Sequence, residues 1–100
     1  MKRHLIYCGL QARELTTDQA DQLVRDLAVQ HFPNGHTIHE ATGRWRGLMS
    51  IVNEPTLIVE VWEAAGFGEP ALGPFAADYK DLALQESVVI LTVPCEATVI

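Results

Sequence analysis

A β-α-β-β-α-β succession predicts a ferredoxin-like α+β sandwich, an antiparallel sheet with two helices on one face. Three observations carry the prediction. Apolar residues recur at helical spacing in two stretches, one opening at Thr16 and one at Gly73-Pro74. Four short runs rich in β-branched and aromatic residues surround them. Two of those runs, 36–45 and 56–63, follow one another with no helix between.

The totals fit that plan. One hundred residues, 48% of them apolar, make one domain spanning 1–100 with a two-layer core. A domain of this size buries only about 60–65% of its unfolded surface, so self-association is a natural support. Thirteen acids against seven Lys and Arg give a net charge of -6, which argues against nucleic-acid or anionic-membrane partners. No apolar run approaches the ~18 residues of a membrane span, and no charged start followed by an apolar run marks a signal peptide. The two cysteines have no metal spacing. The expectation is a cytoplasmic protein with reduced thiols and no cofactor.

Along the chain, His4-Leu5-Ile6-Tyr7-Cys8-Gly9 is an apolar run stopped by Gly, read as a central first strand. Thr16-x-x-Gln19 fits a capping box, and Ala20, Leu23, Val24, Leu27, Ala28 and His31 form the helical stripe behind it. Pro33-Asn34-Gly35 ends this helix. His36 to Trp45 is the second strand, with neither face strongly apolar, which suits an edge. Gly47 to Asn53 reads as the connection. Its Leu48, Met49, Ile51 and Val52 are unusually apolar for a free loop, so they are expected to pack against a neighbouring chain. Thr56 to Glu63 is the third strand, with Leu57, Val59 and Val61 on one face and Ile58, Glu60 and Trp62 on the other. Ala64 to Gly73 is loop. Pro74 is expected at the first position of the second helix, whose stripe is Leu72, Phe75, Ala76, Tyr79, Leu82 and Ala83 and which Gln85-Glu86 closes. Ser87 to Val93 is the fourth strand, and 97–100 a candidate terminal strand.

In this reading the first and third strands run parallel in the middle of the sheet, with the second and fourth against them at the edges. Trp45 and Glu54 then share a sheet end with Lys2, Arg3, His4, Pro94, Cys95 and Glu96. A Cys8–Cys95 disulfide is excluded, because about 15 Å of strand separates residues whose Cα atoms would need to lie about 5.5–6 Å apart.

The residues around 43–56 concentrate groups able to hold a ligand. Glu54 is the candidate catalytic carboxylate, placing or deprotonating a substrate; the competing reading is an exposed pair with Arg44 or Arg46, worth under about 1 kcal/mol. Arg44, Trp45, Arg46 and Glu60 are the candidate ligand-binding residues. Trp45 would stack on a flat or cationic ligand, and Glu60, if covered, needs a donor. His36-x-x-His39 on a strand throws its rings to opposite faces, the wrong geometry for a shared metal. Gly66-x-Gly68 before a helix could cradle a phosphate, against the plainer reading of turn chemistry. Cys8 reads as a small buried residue and not a nucleophile.

Phe32-Pro33-Asn34-Gly35, Gly43-x-Trp45-Arg46, Glu54-Pro55, Tyr79-Lys80 and Gln85-Glu86-Ser87-Val88 follow in an order that resembles a bacterial family catalogued only as a domain of unknown function. The resemblance spans about residues 5–95. The chain departs from that pattern at Asn34, where Asp is usual, at Thr56-Leu57, where Ser-Lys is common, and in lacking an export signal. Gly43-x-Trp45 and Glu54 also resemble phage S-adenosylmethionine lyases, small trimeric sandwich proteins with active sites between subunits. The aromatic in those enzymes is a Tyr with a catalytic hydroxyl, which Trp45 does not supply. Three functions are therefore expected candidates: a homo-oligomer, dimeric or trimeric, binding a small molecule at its subunit contact; a lyase acting on S-adenosylmethionine or a similar cation through Glu54; and a ligand-free interaction module.

Overall fold

β1 (Lys2–Gly9) is the strand on which the fold is laid down, flanked on both sides within a four-stranded sheet of order β2-β3-β1-β4. The remaining elements are α1 (Thr17–His31), β2 (Thr37–Arg46), β3 (Ile51–Glu63), α2 (Leu72–Leu82) and β4 (Val89–Pro94). The computed structural model describes residues 1–46, 49–64, 68–98 and 100, with Trp45 followed along its backbone only. The β-α-β-β-α-β topology, the antiparallel sheet and the two helices on one face are those of a ferredoxin-like sandwich.

The relative direction of the two central strands differs from expectation. β1 and β3 run antiparallel, with Lys2 opposite Glu63 and Gly9 opposite Thr56. The reason is topological. A helical crossover returns the chain so that β2 runs parallel to β1, and the hairpin then reverses β3 between them. The antiparallel register moves Glu54 to the end of β1, beside Gly9 and Gln11, and away from Lys2, Arg3 and His4.

Alternation along the strands sorts the faces. Ile6 and Cys8 of β1 and Leu57, Val59 and Val61 of β3 point to the helices, where they bury against Ala20, Val24, Leu27 and Ala28 of α1 and Phe75 and Tyr79 of α2. Leu82, expected in the α2 stripe, is exposed. Cys8 pairs across from Leu57, whereas the Cys95 amide donates to the Met1 carbonyl at the other sheet end, and both thiols are free. Burial pushes the Cys8 thiol up to about 12, so it is protonated and inert at neutral pH.

Element boundaries follow from local chemistry. Thr16 caps α1 as a full capping box, its hydroxyl accepting from the Gln19 amide at 3.1 Å while Gln19 Oε1 accepts from the Thr16 amide at 2.9 Å. α2 begins at Leu72, so Pro74 is its third residue and not its first. The ring is tolerated there because first-turn amides have no helical partner to lose. α2 also stops earlier than expected. The Ala83 amide bonds Tyr79, the Gln85 amide bonds Lys80, and Leu84 between them adopts φ 52°, the left-handed position that usually takes Gly. β3 starts at Ile51, making Asn53 and Glu54 strand residues and shortening the connection to 47–50. Residues 51–55 pair with β2 alone, since β1 ends opposite Thr56. The hairpin therefore projects as a two-stranded arm and stretches the molecule to 47 × 24 × 21 Å. Among the described residues no terminal strand follows β4. Leu48 of the apolar connection, Gly66 of the Gly66-x-Gly68 turn and Val99 lie outside the described residues.

Replacing the Thr16 cap tests the helix start. Thr16→Ala is expected to cost about 1 kcal/mol, read as a lower urea midpoint with an unchanged slope.

Candidate functional site: a cleft at the end of β1

The Glu54 side chain lies across the end of β1. A Cβ built on Gly9 would sit 2.7 Å from Glu54 Cδ and closer still to Oε1, so only the absent side chain of Gly9 leaves room for the carboxylate. Oε1 accepts from the Gln11 amide at 3.3 Å. The backbone beneath is held by the Leu10 amide on the Pro55 carbonyl at 2.9 Å, and Tyr79 Oη donates to the Gly9 carbonyl from the helix side. Burial, with smaller contributions from Cys8 and Glu54, pushes the Tyr79 hydroxyl far above the ordinary phenol range, so it is a fixed donor and not a titrating acid.

This carboxylate forms part of the wall of a cleft of about 420 Å³ between the end of β1, the arm and the segment after α2. Tyr7, Val52, Leu84 and Val89 give it apolar surface, while Arg13, Arg46, Glu54 and Glu86 bring both signs of charge. Gln85 Nε2 donates to the Gln11 carbonyl at 2.9 Å and ties the post-helix segment to the loop after β1. Such a lining suits a small ligand that carries charge of both signs and an apolar body. A second cleft, of about 380 Å³, lies between α1 and the hairpin; its Asp21 and Glu40 are both engaged by Arg25.

Of the residues nominated from sequence, Glu54 and Arg46 meet in the first cleft. Arg44 instead donates from Nε to Asn53 Oδ1 at 3.1 Å. Among the described residues neither arginine forms an ion pair with Glu54. Trp45 pairs with Val52 in the backbone register, but its ring, and the stacking expected of it, lies outside the described residues. Glu60 is six residues along β3 from Glu54, about 20 Å of strand. Its oxygens are taken up within the chain: Oε1 accepts from Arg3 at 3.0 Å and His39 at 2.8 Å, and Oε2 from the Trp62 indole at 2.5 Å. These are the donors that a buried mid-strand Glu requires.

Three of the histidines, His4, His31 and His39, are likewise committed to carboxylates, while His36 Nδ1 meets the Phe32 carbonyl at 3.2 Å. His4, nearly buried, bridges Glu63 and Thr92 at 2.9 Å each, and His31 joins α1 to Asp78 of α2 at 2.8 Å. The Glu63–His4–Thr92 row has the polarity of a hydrolase relay, but it belongs to neither cleft and satisfies a buried imidazole. Sequence reasoning missed Gly9, Gln11, Arg13 and the 84–87 segment. The only signal for Gly9 was its place at the end of an apolar run, which reads equally as a strand stop.

The chain belongs to the family described as a protein of unknown function (DUF3574), which it matches over residues 3–98. Among solved structures it is similar to a phage SAM lyase in its apo state, with TM-score 0.65 and 16% identity over 92% of this chain and 78% of that one. It is also similar to a phage SAM lyase in complex with S-methyl-5'-thioadenosine, with TM-score 0.62 and 13% identity over 92% and 79% of the two chains. At these identities the likeness is one of fold. No curated protein matches the chain. Among the described residues no helix is long and apolar enough to cross a membrane.

The Glu60 cluster carries a pH dependence. The Arg3 hydrogen bond lowers the carboxyl most, burial opposes it, and His39 and Trp62 lower it further, to about 2 from an ordinary 4.5. A depressed folded-state value contributes stability that is full above about 4.5 and is lost as pH falls from there toward 2. Glu60→Gln is expected to cost about 2 kcal/mol at neutral pH and to flatten the stability profile across that acid window, measured by urea denaturation.

Proposed function

We propose that the chain binds S-adenosylmethionine or a similar cationic metabolite in the Gly9–Glu54 cleft and acts on it as a lyase, with Glu54 as the key carboxylate. The observation that carries this reading is the seating of Glu54 at the wall of a cleft that also holds the guanidinium groups of Arg13 and Arg46, a second carboxylate at Glu86, and apolar surface from Tyr7, Val52, Leu84 and Val89. A carboxylate attracts a sulfonium centre, the arginines suit the ligand's own carboxylate, and Tyr7 and Leu84 offer surface to a flat ring. The fold it shares with the phage SAM lyases supports the same ligand class.

The chemistry asks little of the protein. When a sulfonium carbon–sulfur bond breaks, the electron pair goes to sulfur and a neutral thioether departs, so no acid is needed at the leaving group. What remains is to orient the cation and, where a proton is removed from carbon, to accept it. Glu54 suits either task. The absence of a hydroxyl at Trp45 is compatible with this division of labour. We assign Arg46 to the ligand, Arg44 and Trp45 to the neighbouring end of β2, and Glu60 to holding the sheet surface.

The reading includes self-association and a cytoplasmic setting, the latter supported by the two free thiols. The two-stranded arm exposes Met49, Ile51 and Val52, and the helix-free face exposes Trp62, Val89, Leu91 and Val93. A two-stranded ribbon is marginal alone, so a second copy over the arm would both steady it and close the cleft.

Ligand at 100 times its dissociation constant is expected to stabilise the protein by about 2.7 kcal/mol, a rise in melting temperature of roughly 10–20 °C. Glu54→Gln should weaken S-adenosylmethionine binding about 10–100-fold and abolish its turnover to a thioether, followed by chromatography. A wild-type protein that shows neither shift nor turnover would leave the interaction-module reading standing. Sedimentation should give a dimer or trimer that dissociates in Ile51→Asp; a monomeric wild type would remove the shared-site part of the reading.

A further inference from the structure

We propose that Gly9 is a positioning residue of the cleft: the missing side chain at the end of β1 is what holds the Glu54 carboxylate in its working place, with one oxygen anchored and the other offered to the ligand. The inference rests on the cleft being the ligand site but makes a separate claim about how that site is built.

Three contacts converge on Gly9. From the open face, Glu54 lies where a side chain at this position would be, with Cδ 2.7 Å and Oε2 3.2 Å from the place a Cβ would occupy. From the helix face, Tyr79 Oη donates to the Gly9 carbonyl. Along the strand, Gly9 pairs with Thr56, whose hydroxyl donates to the Glu54 carbonyl at 3.1 Å. The peptide is thus clamped from behind and cannot retreat to admit a methyl group. The carboxylate would have to move instead. Nothing in the backbone itself calls for Gly at this position: among the glycines described, only Gly35 and Gly68 have positive φ. The demand is for space above β1, not for backbone freedom.

The anchoring is one-sided. Oε1 takes the Gln11 amide and is the oxygen nearest Gly9, and among the described residues no hydrogen bond falls on Oε2. Fixing one oxygen removes rotamer freedom that an exposed Glu would otherwise lose on binding. It also separates Glu54 from Glu60, whose two oxygens are both committed inside the chain.

A double-mutant cycle tests the seat. Gly9→Ala is expected to give a lower urea midpoint, relative to its parent, when Glu54 is present than in a Glu54→Ala background, the difference being small because only the end of the Glu54 side chain has to move and the overlap exists only with the carboxylate. An equal cost of Gly9→Ala in both backgrounds overturns the proposal. Folded Gly9→Ala should also bind S-adenosylmethionine as weakly as Glu54→Gln, with no further loss when the two are combined. Wild-type affinity in Gly9→Ala overturns it as well. Should the wild type bind no S-adenosylmethionine, the function proposed above fails, while the stability cycle alone still decides whether Glu54 is seated on Gly9. Were Gly9→Ala too unstable to purify, recovery of folded protein by the added Glu54→Ala would itself demonstrate the coupling.

Discussion

The antiparallel register of β1 against β3 is the constraint from which the rest of the molecule follows. Setting Gly9 opposite Thr56 aligns Ile6 and Cys8 with Leu57, Val59 and Val61 under the helices. A slip of one residue would turn all of them to the other face. The same register leaves the start of β3, 51–55, beyond the end of β1, where it continues in the ladder with β2 as a projecting arm. Glu54, the carboxylate of that arm nearest the sheet, is thereby brought across the last residue of β1.

Two carboxylates on one side of β3 meet opposite fates. Glu60 stands in the middle of the sheet, where Arg3, His39 and Trp62 close around it and hold its charge. Glu54 stands where the sheet narrows to two strands, and among the described residues its oxygens take one amide bond. The difference is not in the side chains but in how many strands flank them. A carboxylate in the middle finds donors on neighbouring strands; one at the end faces a cleft. Leu84 adds to this asymmetry. The left-handed turn that ends α2 brings the 84–87 segment over the end of β1, and the Gln85–Gln11 bond ties it there. Backbone strain of this kind is kept where the surrounding structure requires the geometry.

Much of the architecture was legible in the residues because it rests on local signals. The α1 start is written in Thr16 and Gln19, the core face of β3 in alternate Leu57, Val59 and Val61, and the edge position of β2 in its weakly apolar faces. Glu60's need for donors was also readable, since a charge in mid-strand has few other outcomes. What was not legible depends on contacts distant in sequence. The direction of β3 relative to β1 is a property of chain crossing, and reading it as parallel placed Glu54 with Lys2 and Arg3 instead of with Gly9. Gly9 and Arg13 carry no motif, and their part emerges only once β1 lies against β3. The strand character of Asn53 and Glu54 was hidden by Pro55, which reads as a boundary but sits in β3 opposite Thr42, with its carbonyl and the side of its missing amide turned toward Leu10, just past the end of β1.

On the function proposed here, a sulfonium metabolite is held at the end of β1. Titrating S-adenosylmethionine into isotopically labelled protein and following the backbone amides addresses it directly. Saturable shifts concentrated at Gly9, Gln11 and the 84–87 segment are expected, with the mid-sheet amides around Glu60 undisturbed. Shifts centred elsewhere on the molecule, or none at saturating ligand, would contradict it.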